Sequence, residues 1–308
     1  VRLKARYFPN NSDGSILQDF TLNGLQNQKF LDRIESFLQS QKSRYPFLNT
    51  ISIEIESQST FPHSAGIASS AAAFSALALV LETFSQQLGY YGTTPKDFFT
   101  EASITARLGS GSACRSVYGG FSLWGKTPAF EGSSDSYSIR IDQKDIHQVF
   151  DNIRDAILIA DDGEKPVSSS RGHALMQNHP FRETRIAQAG KNLENLLHAL
   201  KTGEEQLFIE ILENEALTLH GLMMTSNPGY VLMKPATLSM IDKIRDFRKN
   251  TNIQSGFTVD AGPNIHLIYL DKDKGPVREF ISNELAGLCR NGKWIDDGVG
   301  GGPIPLTF

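Results

Sequence analysis

The stretch PHSAGIASSAAAFSALALVLETF, residues 62–84, places a run of small residues and hydroxyls directly before one of the most apolar segments of the chain. From Ser69 onward, Phe74, Leu77, Ala78, Leu81 and Phe84 recur at helical spacing, and Gly89 supplies a stop. Upstream, Ile51, Ile53 and Ile55 alternate with polar residues, the period of a half-buried strand. The order is therefore strand, small-residue loop, helix. Two readings of the loop stand side by side. In one, a serine simply caps a buried helix. In the other, the loop is an anion cradle, because the first N–H groups of a helix lack intrahelical acceptors and carry the positive end of its dipole. Gly66 would let backbone approach a ligand, Ala65, Ala68 and Ala71 keep the surface uncluttered, and Ser69 and Ser70 add hydroxyls for phosphate or magnesium. The chain has no GxxxxGK[ST] pattern, so this is not the common P-loop.

Working outward, Thr94 and Pro95 read as the cap and first position of a second helix, with Phe98, Phe99, Ile104 and Leu108 on its apolar face and Gly109 at its end. The loop GSGSACRS follows. Its Ser110, Gly111 and Ser112 precede Arg115, a set of hydroxyls and a guanidinium suited to a diphosphate or a carboxylate, or else an ordinary loop with a surface arginine. YGGFSLWGK reads as a turn feeding a strand, and residues 126–148 are weakly patterned. DAILIADD (155–162) is a short strand, and EKPVSSSRGH after it repeats the cationic and hydroxyl chemistry with Lys165, Ser168, Ser169, Ser170 and Arg171. Helices are expected at about 182–201, 204–225 and 237–248, and a short one near 276–289. GFTVDAGPNIHLIYL predicts two strands around a DAGPN turn, which sets Asp260 at a strand end, where a turn or a base for a hydroxyl would both fit. GVGGG at 298–302 precedes no helix and reads as a terminal turn. Strands and helices mix without regular βαβ alternation, which predicts an α+β fold divided near residue 150, into 1–150 and 151–308.

The bulk properties narrow the function classes. A chain of 308 residues can bury one large or two ordinary cores. The formal net charge of −4 is not that of a general nucleic-acid binder. Cys114 and Cys289 are the only cysteines, so no disulfide framework is expected and a reducing compartment, the cytoplasm, is the default. No apolar run reaches the roughly 18 residues of a membrane span, and VRLKARYFPNN lacks a signal-peptide core. The seven histidines show no metal-ligand spacing, and there is no GxSxG elbow.

Taken in order, these motifs resemble a known family. PHSAGIASSAA is similar to the phosphate-binding motif of the GHMP kinase superfamily, and RLGSGSACRSVYGGF with FTVDAGPN resembles the mevalonate diphosphate decarboxylase family within it. Ala68, where the kinases usually carry glycine, EKPVSSSRG and PGYVLMKPATLSMI point the same way. The resemblance runs from roughly residue 50 to 270. It implies a two-domain α+β GHMP-kinase-like fold, with an N-terminal half like the second domain of ribosomal protein S5, a ferredoxin-like C-terminal half and an active site between them. It further implies ATP-dependent decarboxylation of mevalonate 5-diphosphate in the cytoplasm, with ATP as co-substrate, Mg2+, and assembly as a homodimer. Asp260 would position and deprotonate the 3-hydroxyl, and Arg115 would orient the carboxylate. Ser110, Gly111, Ser112, Ser170 and Arg171 would hold the substrate. Ala65, Gly66, Ile67, Ala68, Ser69 and Ser70 would take the ATP phosphates, with Ser70 at the magnesium. The family also carries an Asn-Ile-Ala and a Lys-Tyr-Trp-Gly-Lys segment on a first strand; the chain begins past it. A small-molecule kinase that stops at phosphoryl transfer and a non-catalytic nucleotide-binding relative are the alternatives.

Overall fold

The computed structural model describes residues 1–9, 15–60, 68–90, 95–163 and 169–306. The first half opens with three strands and a helix: β1 (Arg2–Pro9), β2 (Leu17–Leu22), β3 (Leu25–Gln26) and α1 (Gln28–Ser40). Asn27 caps α1 by accepting from the Phe30 N–H at 3.1 Å, and Ile34, Phe37 and Leu38 form its buried stripe. β4 (Ile51–Gln58) lies inside a sheet of order β1-β4-β2-β3, antiparallel to β1 and parallel to β2. Ile51, Ile53 and Ile55 are buried in it as their alternation predicts.

α2 (Ser69–Gln87) buries Phe74, Leu77, Ala78, Leu81 and Phe84, the expected face. α3 (Pro95–Gly109) does not follow expectation. Phe99 and Leu108 are 42% and 54% exposed, whereas Ala102, Ser103, Thr105 and Ala106 are buried. Small residues let α3 lie close to its neighbours, and its buried hydroxyls are satisfied: Ser103 Oγ donates to the Cys114 carbonyl at 2.9 Å and accepts from the Ser138 N–H at 2.9 Å. Thr94, the expected cap, lies outside the described residues.

A two-stranded ribbon, β5 (Ser122–Trp124) and β6 (Ser138–Arg140), leads to β7 (Ile153–Leu158). Then come α4 (Ser169–Met176), α5 (Arg182–Thr202), α6 (Glu205–Thr225), α7 (Pro235–Thr251), β8 (Ser255–Val259), β9 (Ile265–Leu270), α8 (Lys274–Phe280) and β10 (Trp294–Gly298). β7 to β10 form an antiparallel sheet of order β10-β7-β9-β8. Its Ala156, Leu158, Phe257, Val259, Ile265, Leu267 and Tyr269 pack with Ala216, Met240, Ile241, Ile244, Val277 and Ile281. α8 passes into a π turn over Ile281–Leu285 and a short 3-10 turn, which accounts for the longer helix expected there.

The tail is a correction. GVGGG is no terminal turn: β10 runs into it, the Val299 N–H donates to the Ile153 carbonyl at 3.2 Å, and Gly300 accepts from the Gly120 N–H at 2.9 Å. Another buried cluster joins Leu123, Ile141, Ile146 and Phe150 to Ala199, Leu200, Phe208, Ile209 and Leu270, so side chains on both sides of residue 150 share a core.

Candidate active site

The site is best built from the start of α2. Ala68 sits in the left-handed region with φ of 56° and offers no capping side chain, and Ser69 is already helical. The serine-cap reading of this run is thus corrected. Ser69 and Ser70 are half-buried and Ala68 is exposed, while Ala65, Gly66 and Ile67 lie outside the described residues.

Ser70 Oγ lies 3.2 Å from Ser110 Oγ, a hydrogen bond across forty positions of sequence. It joins the α2 terminus to the second motif. Ser110 is extended, and the following Gly111–Val117 is a 3-10 helix rather than the loop expected. Burial of Ala113, Cys114 and Val117 fixes this turn against the core, leaving Gly111 and Arg115 exposed and Ser112 half-buried. Burial pushes the Cys114 thiol up, so it is a packed side chain rather than a ready nucleophile. Gly111 faces Trp124, whose ring also carries the Arg107 guanidinium 5.7 Å from its centroid. Arg107 is a second cation close to the motif, overlooked because it reads as the last turn of a helix.

Asp260 directly follows β8, exposed, as its position at a strand end predicts. Its carbonyl accepts from the Gly262 N–H at 2.6 Å and from His220 Nε2 of α6 at 3.1 Å. Thr237 Oγ1 of α7 donates to the Pro263 carbonyl at 2.7 Å, and the Asp161 N–H after β7 donates to Asn264 Oδ1 at 3.0 Å. The DAGPN turn is therefore tied to α6, α7 and the end of β7. None of these ties runs to the serine motifs. Ser170 and Arg171 fall in α4; a Cβ added to the neighbouring Gly172 would lie 2.9 Å from the Tyr230 hydroxyl, so PGYVLMKP packs against this helix. Lys165 and Ser168 are outside the described residues.

His266, opposite Thr258 in the β8/β9 register, bonds through Nδ1 to Asp155 Oδ2 at 2.8 Å. Burial alone would lower its basicity; the Asp155 carboxylate outweighs that, with Asp260 and Asp297 adding to it, and the net shift is upward. Sequence reading had no signal for this pair, since the partners are 111 positions apart.

Among the described residues no group of three or more His, Cys, Asp or Glu side chains could cage a metal.

Comparison with known proteins bears directly on these motifs. Residues 11–138 match a diphosphomevalonate decarboxylase-like N-terminal domain, and residues 156–293 match a mevalonate 5-diphosphate decarboxylase C-terminal domain. The first match takes in residues 11–20 and 126–138, beyond the motifs that carry the resemblance. The diphosphomevalonate decarboxylase of Saccharomyces cerevisiae is 30% identical over 278 residues, which cover 88% of this chain and 66% of that protein. That of Eremothecium gossypii is 29% identical over 250 residues, 80% of this chain and 59% of its own length. The chain thus spans about three fifths to two thirds of the length of these relatives. A solved structure of MDDEF in complex with MVAPP, AMPPCP and magnesium is 28% identical with a TM-score of 0.78, covering 97% of this chain and 85% of that one. The mevalonate diphosphate decarboxylase of Staphylococcus aureus, 25% identical, superposes with a TM-score of 0.80 over 97% of this chain and 85% of its own. With both halves matched in order, and with the fold shared along nearly the whole chain, the protein belongs to the mevalonate diphosphate decarboxylase family of the GHMP kinase-like fold.

Proposed function

We propose that the protein catalyses the ATP-dependent decarboxylation of mevalonate 5-diphosphate to isopentenyl diphosphate, a step of the mevalonate pathway. The observation that carries this reading is the Ser70–Ser110 contact at 3.2 Å. It brings the start of α2, suited to the phosphates of ATP, against the motif suited to the substrate diphosphate, so donor and acceptor share one point. The relatives' names, and the MVAPP and AMPPCP bound by one of them, support the same assignment.

The roles follow from chemistry. A tertiary alcohol is a poor nucleophile, so positioning and charge neutralisation supply most of the rate. Asp260 accepts the 3-hydroxyl proton as the oxygen takes the γ-phosphoryl group of ATP. The phosphorylated oxygen then leaves as phosphate, the carboxylate departs as carbon dioxide, and its bonding pair becomes the new double bond. Arg115 orients the carboxylate. Ser110, Gly111, Ser112, Ser170 and Arg171 hold the diphosphate, and Ala65 to Ser70 receive the nucleotide phosphates. Bound magnesium, with Ser70 as its protein contact, supplies charge neutralisation there.

The division into 1–150 and 151–308 belongs to the same proposal, supported by the two separate four-stranded sheets and by family matches that end at 138 and resume at 156. So do a cytoplasmic location, supported by two buried free cysteines, and a homodimer; imaging of the tagged protein and sedimentation at a dimer's mass check these two. The deciding experiment is carbon dioxide release from mevalonate 5-diphosphate with ATP and magnesium, comparing the full-length protein with Asp260→Asn. Release by the first and a loss of at least about 100-fold in the second is expected, since general-base removal costs roughly that much. ADP without carbon dioxide would make the protein a kinase and overturn the proposal.

A further inference from the structure

We propose that His220 is a positioning residue for Asp260, holding the peptide carbonyl from which the aspartate side chain is carried; the inference rests on the decarboxylase reading above. Asp260 is exposed, and its carboxylate has no hydrogen-bond partner among the described residues. Among the described residues its backbone is therefore what hydrogen bonding fixes, while the carboxylate acts on His220 and His266 through charge alone. That backbone is fixed at one atom. The Asp260 carbonyl accepts from both His220 Nε2, at 3.1 Å, and the Gly262 N–H, at 2.6 Å, which uses both of its lone pairs.

The histidine is itself rigid. It is 2% exposed on α6, between buried Ala216 and buried Leu222 and Met223. Burial lowers its basicity, against the opposing pull of the Asp260 carbonyl and of the Asp260 charge. A carbonyl can only accept, so Nε2 carries the hydrogen and donates. The remainder of the turn is secured independently, by Thr237 at Pro263 and by Asn264 at Asp161. Loss of the His220 bond therefore leaves the turn in place and the Asp260 carbonyl held by the Gly262 N–H alone.

The prediction separates positioning from mere packing. A ring that only packs would, when replaced, lower the melting temperature and depress activity in proportion. A positioning bond acts on kcat, because a reacting group misplaced by about 1 Å costs on the order of 100-fold in rate, while ground-state binding through the serine motifs stays. Three variants of the full-length protein are compared for kcat, for KM of mevalonate 5-diphosphate and ATP, and for melting. His220→Gln keeps a donor near the Nε2 position; His220→Asn and His220→Leu do not. The expected result is kcat within about fivefold of wild type for Gln and a fall of roughly 10- to 100-fold for Asn and Leu, with both KM values unchanged to about twofold. Should Leu fail to fold, the contrast of Gln with Asn decides alone. Equal kcat in all variants overturns the inference, as does equal impairment of Gln and Asn. Absence of carbon dioxide release from the wild type would instead overturn the decarboxylase reading, and this inference with it.

Discussion

Glu82 stands in the middle of the apolar face of α2, 3% exposed, where a charged carboxylate has little to stabilise it. Its partner is the Tyr45 hydroxyl, which also lies 2.7 Å from Thr105 Oγ1 of α3, so one buried chain of hydroxyls and a carboxyl links three segments. Burial is the dominant influence and pushes the Glu82 carboxyl up to about 7; the Tyr45 hydrogen bond and the Arg44 charge oppose it, and Glu101 reinforces it. An acid whose folded value is raised favours folding most when it is protonated in both states. Stability from this site is therefore greatest below about pH 4.5, the unfolded value, falls as pH rises, and is fully lost above about 7. Glu82→Gln removes the ionisation and keeps a hydrogen-bonding group. The variant is expected to melt several degrees above wild type at pH 8, since about 1 kcal/mol is worth roughly 2–4 °C in a chain of this class. The difference should shrink toward zero near pH 5. Melting curves at pH 5, 6.5 and 8 check it, and a difference independent of pH would contradict the assignment.

At the level of elements, the join between α2 and α3 controls the approach of the two serine motifs. A Cβ on Gly109 would stand 2.1 Å from Cδ1 of Phe74, well inside contact distance. Phe74 cannot yield outward easily: its ring is met edge-on by Phe37 at 5.0 Å, and the Arg33 guanidinium lies 4.9 Å from its centroid. Gly109→Ala is thus an overpacking change, expected to cost about 1–3 kcal/mol. It also pushes the adjoining Ser110 from Ser70, so kcat/KM should fall by more than for Gly190→Ala on α5, where a Cβ meets nothing within 4 Å. Melting curves and steady-state kinetics on both variants read the two effects. The same junction explains what sequence could and could not disclose about elements. α2, α5, α6, β4, β8 and β9 were legible because each is long or strongly periodic, with one face turned to a core. α3 misled, because its buried face is made of Ala102, Ser103, Thr105 and Ala106, whose hydroxyls are satisfied inside the protein and carry no hydrophobic signal. α1 carried a readable Asn27 cap and an Ile34, Phe37, Leu38 stripe. β1 did not: it is mostly exposed along its length and pairs on one side with β4.

Across the whole molecule, the short motifs proposed to form the site were legible and the residues that support them were not, for a physical reason. Residues that face a ligand cluster in short segments, since loops and helix starts present several groups at once. Residues that hold those segments come from any element packed nearby, as His220 lies forty positions before Asp260 and Thr237 on another helix again. The glycine tail belongs with these supports. The chain returns after β10 to lie against the turn that follows the GSGSACRS motif, and a Cβ on Gly119 would sit 2.3 Å from the Gly301 carbonyl oxygen. No side chain can rotate to relieve that clash, because both partners are backbone. Gly119→Ala must separate the tail from the turn, with loss of the Gly120–Gly300 hydrogen bond. Gly300→Ala is the control, as a Cβ there meets nothing within 4 Å. Gly119→Ala is expected to lose roughly 1–3 kcal/mol of stability and to open the segment after Gly298 to limited proteolysis, with activity falling as the Arg115 turn loosens; Gly300→Ala should match wild type in all three. Equal protease resistance in the two variants would show that the tail does not brace the site.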